Sequence, residues 1–362
     1  MSRFNRFLNG IKAVDVSFYI PGPMASLQLA DMGADVIKVE PPWGDDMRAL
    51  GPRGAGGKPL FYEALNAGKT VMRLDLKTEE GRNSLLALTD DADIFIEGFR
   101  PGVMDRLGLG AAALRQRNPG LITCSISGHG AQGPLAQSAG HDGNYLAGAG
   151  VLHRNGVPPR FFDPPIADLS GSLFAVIAIL GALQSRARDS QGCHIDLGLA
   201  DVAMPLQLFE IAALGATGKV PQPNSTYLNG GAAYYQIYAT GDGRHVMVGA
   251  VEAKFWQAFS EAAGHPEWIE RQDEALPQLA LIADVAKCLG TMTLADFQER
   301  FASGDCCVTP VLDLAEAIAS PHHTARGLVA RTEAGLQSLF PAWIDGMPPL
   351  AREPLREDLN AL

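Results

Sequence analysis

Charge is scarce in this chain of 362 residues: Asp, Glu, Lys and Arg make up 19% of it, while hydrophobic residues reach 47%. Acidic residues outnumber basic ones by 40 to 29, giving a net charge of −11. That balance excludes the broad basic face a nucleic-acid backbone requires, so no nucleic-acid partner is predicted, and any anion site must be a local cluster of cations. Cysteine is equally sparse. Cys124, Cys193, Cys288, Cys306 and Cys307 fit neither a paired zinc-ligand spacing nor a disulfide framework, because three stand alone and two are adjacent. A reducing, cytoplasmic compartment is the expectation. The N-terminus lacks a continuous apolar signal-peptide core, and the longest apolar run, Leu173 to Leu183, is interrupted by Gly181. The prediction is therefore no export and no membrane segment. His322-His323 has no further histidine or carboxylate at ligand spacing, so it reads as a solvated helix start and no metal is predicted. Internal repeats and low-complexity segments are also missing.

Local patterning defines the fold class. Ile11 to Val16 alternates like a strand, Pro21-Gly22-Pro23 opens a helical pattern that runs through Met32 and closes at Gly33, and Ala34 to Glu40 reads as a second strand. Strand, helix and strand in so short a span make a βαβ unit with parallel strands. The alternation repeats. Thr70 to Asp75 is a strand, Thr78 caps a helix through Leu88 with glutamates in its first turn, and Ala92 to Glu97 and Leu121 to Ile126 are further strands. The first half is thus predicted to be an open, parallel, Rossmann-like α/β sheet flanked by helices. No Gly-x-Gly-x-x-Gly follows its first strand, so a dinucleotide cofactor is not predicted.

A composition shift near Gly218, with Pro221, Pro223 and Asn224 beyond it, marks a boundary. Past it, Tyr234 to Thr240 and Arg244 to Gly249 flank Gly241-Asp242-Gly243, which is a hairpin signal. Helical patterns follow at 253–263 and 294–302. The predicted organisation is a large α/β domain over 1–200, a linker over 201–228, a smaller α+β domain over 229–318, and a C-terminal segment over 319–362 returning to the large domain.

Chemistry concentrates in Gly140-His141-Asp142-Gly143-Asn144-Tyr145 and, 27 residues beyond His141, in Asp168. A histidine with its pKa near neutrality and a carboxylate are groups able to move a proton between carbon and base. Local pattern alone also allows simpler roles. Asp168 stands where an N-cap aspartate would precede a long apolar helix, His141 sits in a glycine-flanked turn, and Asp142 precedes what reads as a first helical turn. Glu252 has the place of a first-turn acid.

Several segments in order carry a resemblance: Tyr19 to Pro23, Gly33 to Glu40, Glu97 to Val103, Gly140 to Tyr145, Gly230 to Tyr235 and Gly249 to Glu252. With these, nearly the whole chain resembles the family III acyl-CoA transferases and racemases, and most closely their 2-methylacyl-CoA racemase branch. The resemblance implies that His141 and Asp168 act from opposite faces of the α-carbon of a thioester. It further implies that Glu252 orients the imidazole. Because Asp142 precedes what reads as a first helical turn, its backbone N–H is the candidate donor to the enolate oxygen. Coenzyme A would enter as part of the substrate, with no separate cofactor.

Its phosphates call for cations, and Lys38, Lys69, Arg73, Arg100 and Arg106 are the candidates. Lys38 ends the second strand and Arg100 follows the fourth, at the carboxyl edge where ligands dock on parallel sheets. The family commonly has arginine where this chain has Lys38. The transferase branch uses the aspartate matching Asp168 as a nucleophile, making a mixed anhydride and then an enzyme thioester, and needs no proton-shuttling histidine. The presence of His141 favours the racemase; Leu169-Ser170-Gly171-Ser172, where that branch often has a glycine run, does not. A non-catalytic acyl-CoA binder would not need His141, Asp168 and Glu252 together. An interlocked homodimer is also implied, in which Glu252 could come from the partner chain. The acyl group is left open by the sequence.

Overall fold

Apolar residues facing both sides of a strand require cover on both faces, and the first half of the chain supplies it with alternating strands and helices. In the computed structural model, which describes residues 3–302, 304–332 and 335–358, β1 (Lys12–Asp15) leads into α1 (Pro21–Asp31) and β2 (Asp35–Glu40). Prolines at 21 and 23 suit the first turn of α1, where backbone N–H groups lack helical acceptors. Next come β3 (Thr70–Arg73), α2 (Glu79–Asp90) and β4 (Ile94–Glu97). Thr78 caps α2 by accepting from the Gly81 N–H at 3.0 Å. The series continues with β5 (Ile122–Ser127), α3 (Asp142–Gly148), α4 (Ile166–Asp189) and β6 (His194–Gly198).

These strands, joined by the C-terminal β12 (Arg356–Glu357), form one seven-stranded sheet in the order β12-β3-β2-β1-β4-β5-β6, parallel at every pairing. The predicted parallel α/β class is what the structure has. Val14, Val39 and Phe95 pack with Leu85 and Leu114 in one buried cluster. The other face is covered by α1 and α4, which pack on the strands and on each other. The order in which successive strands are laid down reverses between β1 and β4. The loops leaving their carboxyl ends therefore diverge and open a crevice, the usual ligand position in such sheets.

The chain forms two compact units: 1–149, 162–206 and 318–362 make the first, and 150–161 with 207–317 make the second. The stretch 201–228 contains the helix α5 (Leu208–Thr217), which ends at Gly218. In the second unit the predicted hairpin is β7 (Tyr235–Ala239) against β8 (His245–Gly249), with β9 (Val308–Pro310) added antiparallel. The helix α6 (Ala253–Ala263) follows β8, and Trp256, Phe259, Trp268, Phe297 and Phe301 fill that unit's core. In the first unit the C-terminal segment contributes the hairpin β10 (Val329–Thr332) and β11 (Gly335–Ser338), and then β12. Arg352 fastens this segment with a bidentate pair to Asp31, at 2.6 and 2.7 Å.

The apolar run Leu173 to Leu183 lies in α4, which is 24 residues long, and α4 and the 19-residue Leu199–Thr217 run are both long and apolar enough to cross a membrane by length and composition. Part of α4 is accounted for by packing, because Ala175, Val176 and Ile179 are buried. Ile177, 63% exposed, is not.

Candidate active site

The crevice holds a cavity of about 430 Å³, a size usual for small-ligand sites. Its walls come from the loop after β1 (Phe18, Tyr19), the loop after β4 (Phe99, Arg100) and the starts of two helices (His141, Asp168). The structure thus brings His141 and Asp168 to one cavity.

Their placement corrects the capping roles read from local pattern. His141 is the N-cap of α3, in extended conformation, and its N–H donates to Asn144 Oδ1 at 3.0 Å. Asp142 is the first residue inside α3, not its cap. Its carboxylate instead caps the other helix, with Oδ1 accepting from the N–H of Ala167 at 2.7 Å and of Asp168 at 3.2 Å. Asp168 is likewise no N-cap: Pro165 holds that position and Asp168 is the third helical residue of α4. One side chain therefore clasps the helix start bearing the histidine to the one bearing the aspartate.

Glycines make the turn possible. The Tyr145 hydroxyl donates to the Gly140 carbonyl at 2.6 Å. Its ring lies so close that a Cβ on Gly140 would meet Cε1 at 2.7 Å and one on Gly128 would meet the hydroxyl at 2.6 Å. Ser172 Oγ donates to the Pro21 carbonyl at 2.8 Å, tying α4 to the start of α1 beside the cavity.

The Asp168 carboxyl is raised to about 6, chiefly by burial and then by the negative charge of Asp142, with His141 opposing. Burial, followed by Asp168 and Asp142, also raises the Tyr145 phenol. A carboxyl near 6 can be either proton donor or acceptor at neutral pH, which an ordinary surface aspartate cannot.

The predicted cations separate. Arg100 is exposed and lines the cavity. Lys38 and Lys69 are corrected as phosphate ligands, since both are 0% exposed. Lys38 Nζ donates to the Ser17 carbonyl and to Asp45 Oδ2, the latter at 2.8 Å. Lys69 Nζ donates to the Pro23 carbonyl at 2.8 Å and to Asn66 Oδ1 at 2.9 Å, and stands 3.6 Å from Asp15 Oδ2. An ammonium committed in this way to buried acceptors does not reach a ligand arriving from solvent. Arg73 ends β3 with its Nε buried and unpartnered, and Arg106 ends the short helix Val103–Arg106, exposed. Glu252 belongs to the second unit, where it is the exposed N-cap of α6 and makes no side-chain cap hydrogen bond. His323 lies in the short helix Pro321–Arg326, whose N-cap Ser320 accepts from its N–H.

Local patterning gave no role to Tyr19, Asn144, Tyr145 or Ser172. A tyrosine directly before Ile-Pro-Gly-Pro was the available signal for Tyr19, and the flanking glycines were the signal for Tyr145.

The description of CoA-transferase family III matches residues 8–354. Alpha-methylacyl-CoA racemase of Mus musculus is 33% identical over 359 residues, covering 96% of this chain and 87% of that protein. Acetyl-CoA:oxalate CoA-transferase of Acetobacter aceti is 32% identical over 352 residues, covering 93% and 89%. Among solved structures, a CAIB/BAIF family protein from Brucella suis superposes with a TM-score of 0.84 at 30% identity, covering 98% of this chain and 96% of that one. The agreement spans both units, and this protein belongs to CoA-transferase family III and is an enzyme of that family.

Proposed function

We propose that this enzyme epimerises C2 of 2-methyl-branched acyl-CoA thioesters by 1,1-proton transfer through an enolate. The observation that carries the reading is the pairing of His141 with an Asp168 carboxyl near 6 on one cavity. A thioester α-hydrogen is weakly acidic, so its removal needs a base and a donor to the developing oxyanion. A single base would return the proton to the face it left. In this reading Asp168 takes the proton from one face while the imidazolium of His141 delivers one to the other, and the roles exchange for the opposite epimer. The Asp142 N–H, at a helix position with no intrahelical acceptor, is the proposed donor to the enolate oxygen. Arg100 is proposed to meet a CoA phosphate. Coenzyme A enters as part of the substrate, and every proton movement is assigned to side chains of this protein.

The test is incubation of one pure 2-methylacyl-CoA epimer in heavy water, with α-deuteration and stereochemistry followed by NMR. Both should appear together. Transfer of CoA to an added carboxylic acid, with neither exchange nor inversion, would instead establish the transferase reading, in which Asp168 is the nucleophile. A relative named as a CoA-transferase at 32% identity makes that the proper control.

The electrostatics yield a second expectation. Asp142→Asn keeps an oxygen acceptor for the start of α4 but removes the charge that raises Asp168. The Asp168 carboxyl then falls below about 6, and the acid limb of the pH profile for the direction using it as base moves to lower pH. A limb that stays in place would contradict the assignment. We further propose that the enzyme self-associates. No residue of α5 is buried, and Leu208, Phe209, Ile211 and Leu214 are all exposed, Phe209 by 65%. Such a face is ordinarily covered in an assembly. Light scattering should return a dimer mass, and a monomer at all concentrations would refute this.

A further inference from the structure

Tyr19 is the one residue of the cavity wall whose backbone is strained. Its φ is 61°, in the left-handed region that disfavours residues with a side chain. Such conformations persist only where the surroundings impose them, and they concentrate at functional sites.

The surroundings here are specific. Two buried lysines hold the segment around Tyr19: Lys38 Nζ takes the Ser17 carbonyl two residues before it, and Lys69 Nζ takes the carbonyl of Pro23 in the first turn of α1, four residues after it. Asp15, between the two lysines in charge, accepts from the Ser17 N–H at 2.9 Å and from the hydroxyls of Ser17 and Ser26. Gly22 closes against this arrangement, since a Cβ there would lie 2.0 Å from Ser17 Oγ. A segment held on both sides of Tyr19 projects that residue. The Tyr19 ring stands edge-to-face with His141, centroids 6.4 Å apart and planes at 88°, and packs in the same manner on Phe18 at 5.3 Å. Phe18 is braced in turn by Phe99, at 5.4 Å. The chain of aromatic contacts runs from the sheet edge to the imidazole. His141 itself is exposed, and its N–H is fixed by Asn144 Oδ1 at the start of α3, which leaves the Tyr19 ring as an aromatic contact on the imidazole.

We infer that Tyr19 is a positioning residue for the His141 imidazole, held in place by the two buried lysines that fix the segment around it. The inference rests on the proposed role of His141 in proton transfer, but the contact itself can be measured without any turnover. Edge-to-face pairs favour one ring orientation over others, and loss of the partner leaves the imidazole dispersed over several rotamers. Only the fraction aimed at the α-carbon would then be productive.

The experiment uses the full-length enzyme with ¹³C-labelled histidine, eight residues in all, with the His141 signal identified by its loss in His141→Ala. Tyr19→Phe, which retains an aromatic ring, should keep the ring-current shift of His141. Tyr19→Leu and Tyr19→Gly should lose the shift and lower kcat by about three- to tenfold with KM unchanged. The glycine variant relieves the left-handed strain, so a misfolded loop does not explain its loss. Retention of full kcat by Tyr19→Gly, or an unchanged His141 shift in both variants, would overturn the inference. Full epimerase activity of His141→Ala would overturn the proton-transfer reading instead, while the shift would still report whether the rings touch.

Discussion

Alanine in place of His141 is expected to abolish inversion yet leave one epimer able to exchange its α-hydrogen with solvent. The reason is that the two proposed bases face opposite sides of one carbon. With the imidazole gone, Asp168 can still remove the proton on its own side, exchange it with water and return deuterium to the same side, so configuration is kept. The other epimer presents its hydrogen toward the missing base and should be inert. Asp168→Ala is predicted to give the mirror result, with exchange confined to the epimer that Asp168→Ala's surviving His141 can reach. Inversion should fall by about 10²- to 10⁴-fold in each variant, the range of a lost general acid or base. Stereochemically resolved NMR in heavy water reads exchange and inversion separately. Exchange of the same epimer by both variants would defeat the two-sided arrangement, as would undiminished inversion in either.

A second large effect is expected far from solvent. Asp15→Ala should destabilise the fold by about 3–5 kcal/mol, as removal of one partner from a buried ion pair does, against the roughly 5–15 kcal/mol typical of a domain. Asp15 is fully buried and accepts from Ser17 and Ser26. Burial pushes its carboxyl up, but Lys38 and Lys69 outweigh this and hold it below the ordinary value. Without it, two ammonium groups are left with one buried carboxylate, that of Asp45. Burial lowers Lys69 to about 7 from 10.5, with Asp15 opposing the fall. The unfolded chain therefore binds the extra proton between those values. The cost of burying Lys69 is fully present below about pH 7 and fades as pH rises toward 10.5, so its contribution should make stability climb across that window. Urea unfolding of Asp15→Ala and Asp15→Asn at pH 7 and pH 9.5 checks both the size and the sign. A loss below about 1 kcal/mol, or one that grows with pH, would show that the lysines are not charged partners of Asp15.

Much of the first unit was legible because parallel strands buried on both faces alternate with capped helices, and Pro21, Thr78 and Gly33 punctuate them. The hairpin at Gly241-Asp242-Gly243 was legible for the same local reason. The sixth and twelfth strands were not. His194–Gly198 follows a long apolar helix with little contrast, and Arg356–Glu357 is two residues held by pairing with β3 and by the Arg352 pair to Asp31, both distant in sequence. At the site, glycine flanks and residue types pointed to His141 and Asp168, whereas the fates of Lys38 and Lys69 depended on carboxylates brought in by folding. Position at a strand end placed Lys38 near the carboxyl edge correctly, but periodicity does not tell a lysine aimed at a ligand from one aimed at a buried Asp45. The cap positions were misjudged because Asp142 serves a helix that begins more than twenty residues later, a relation no local pattern contains.

That clasp frees the separation of the two proposed bases from the length of chain between them. Asp142 grips the backbone of Ala167 and Asp168 directly, so the spacing of the two helix starts is set by that contact, while residues 150–161 between them in sequence belong to the second unit.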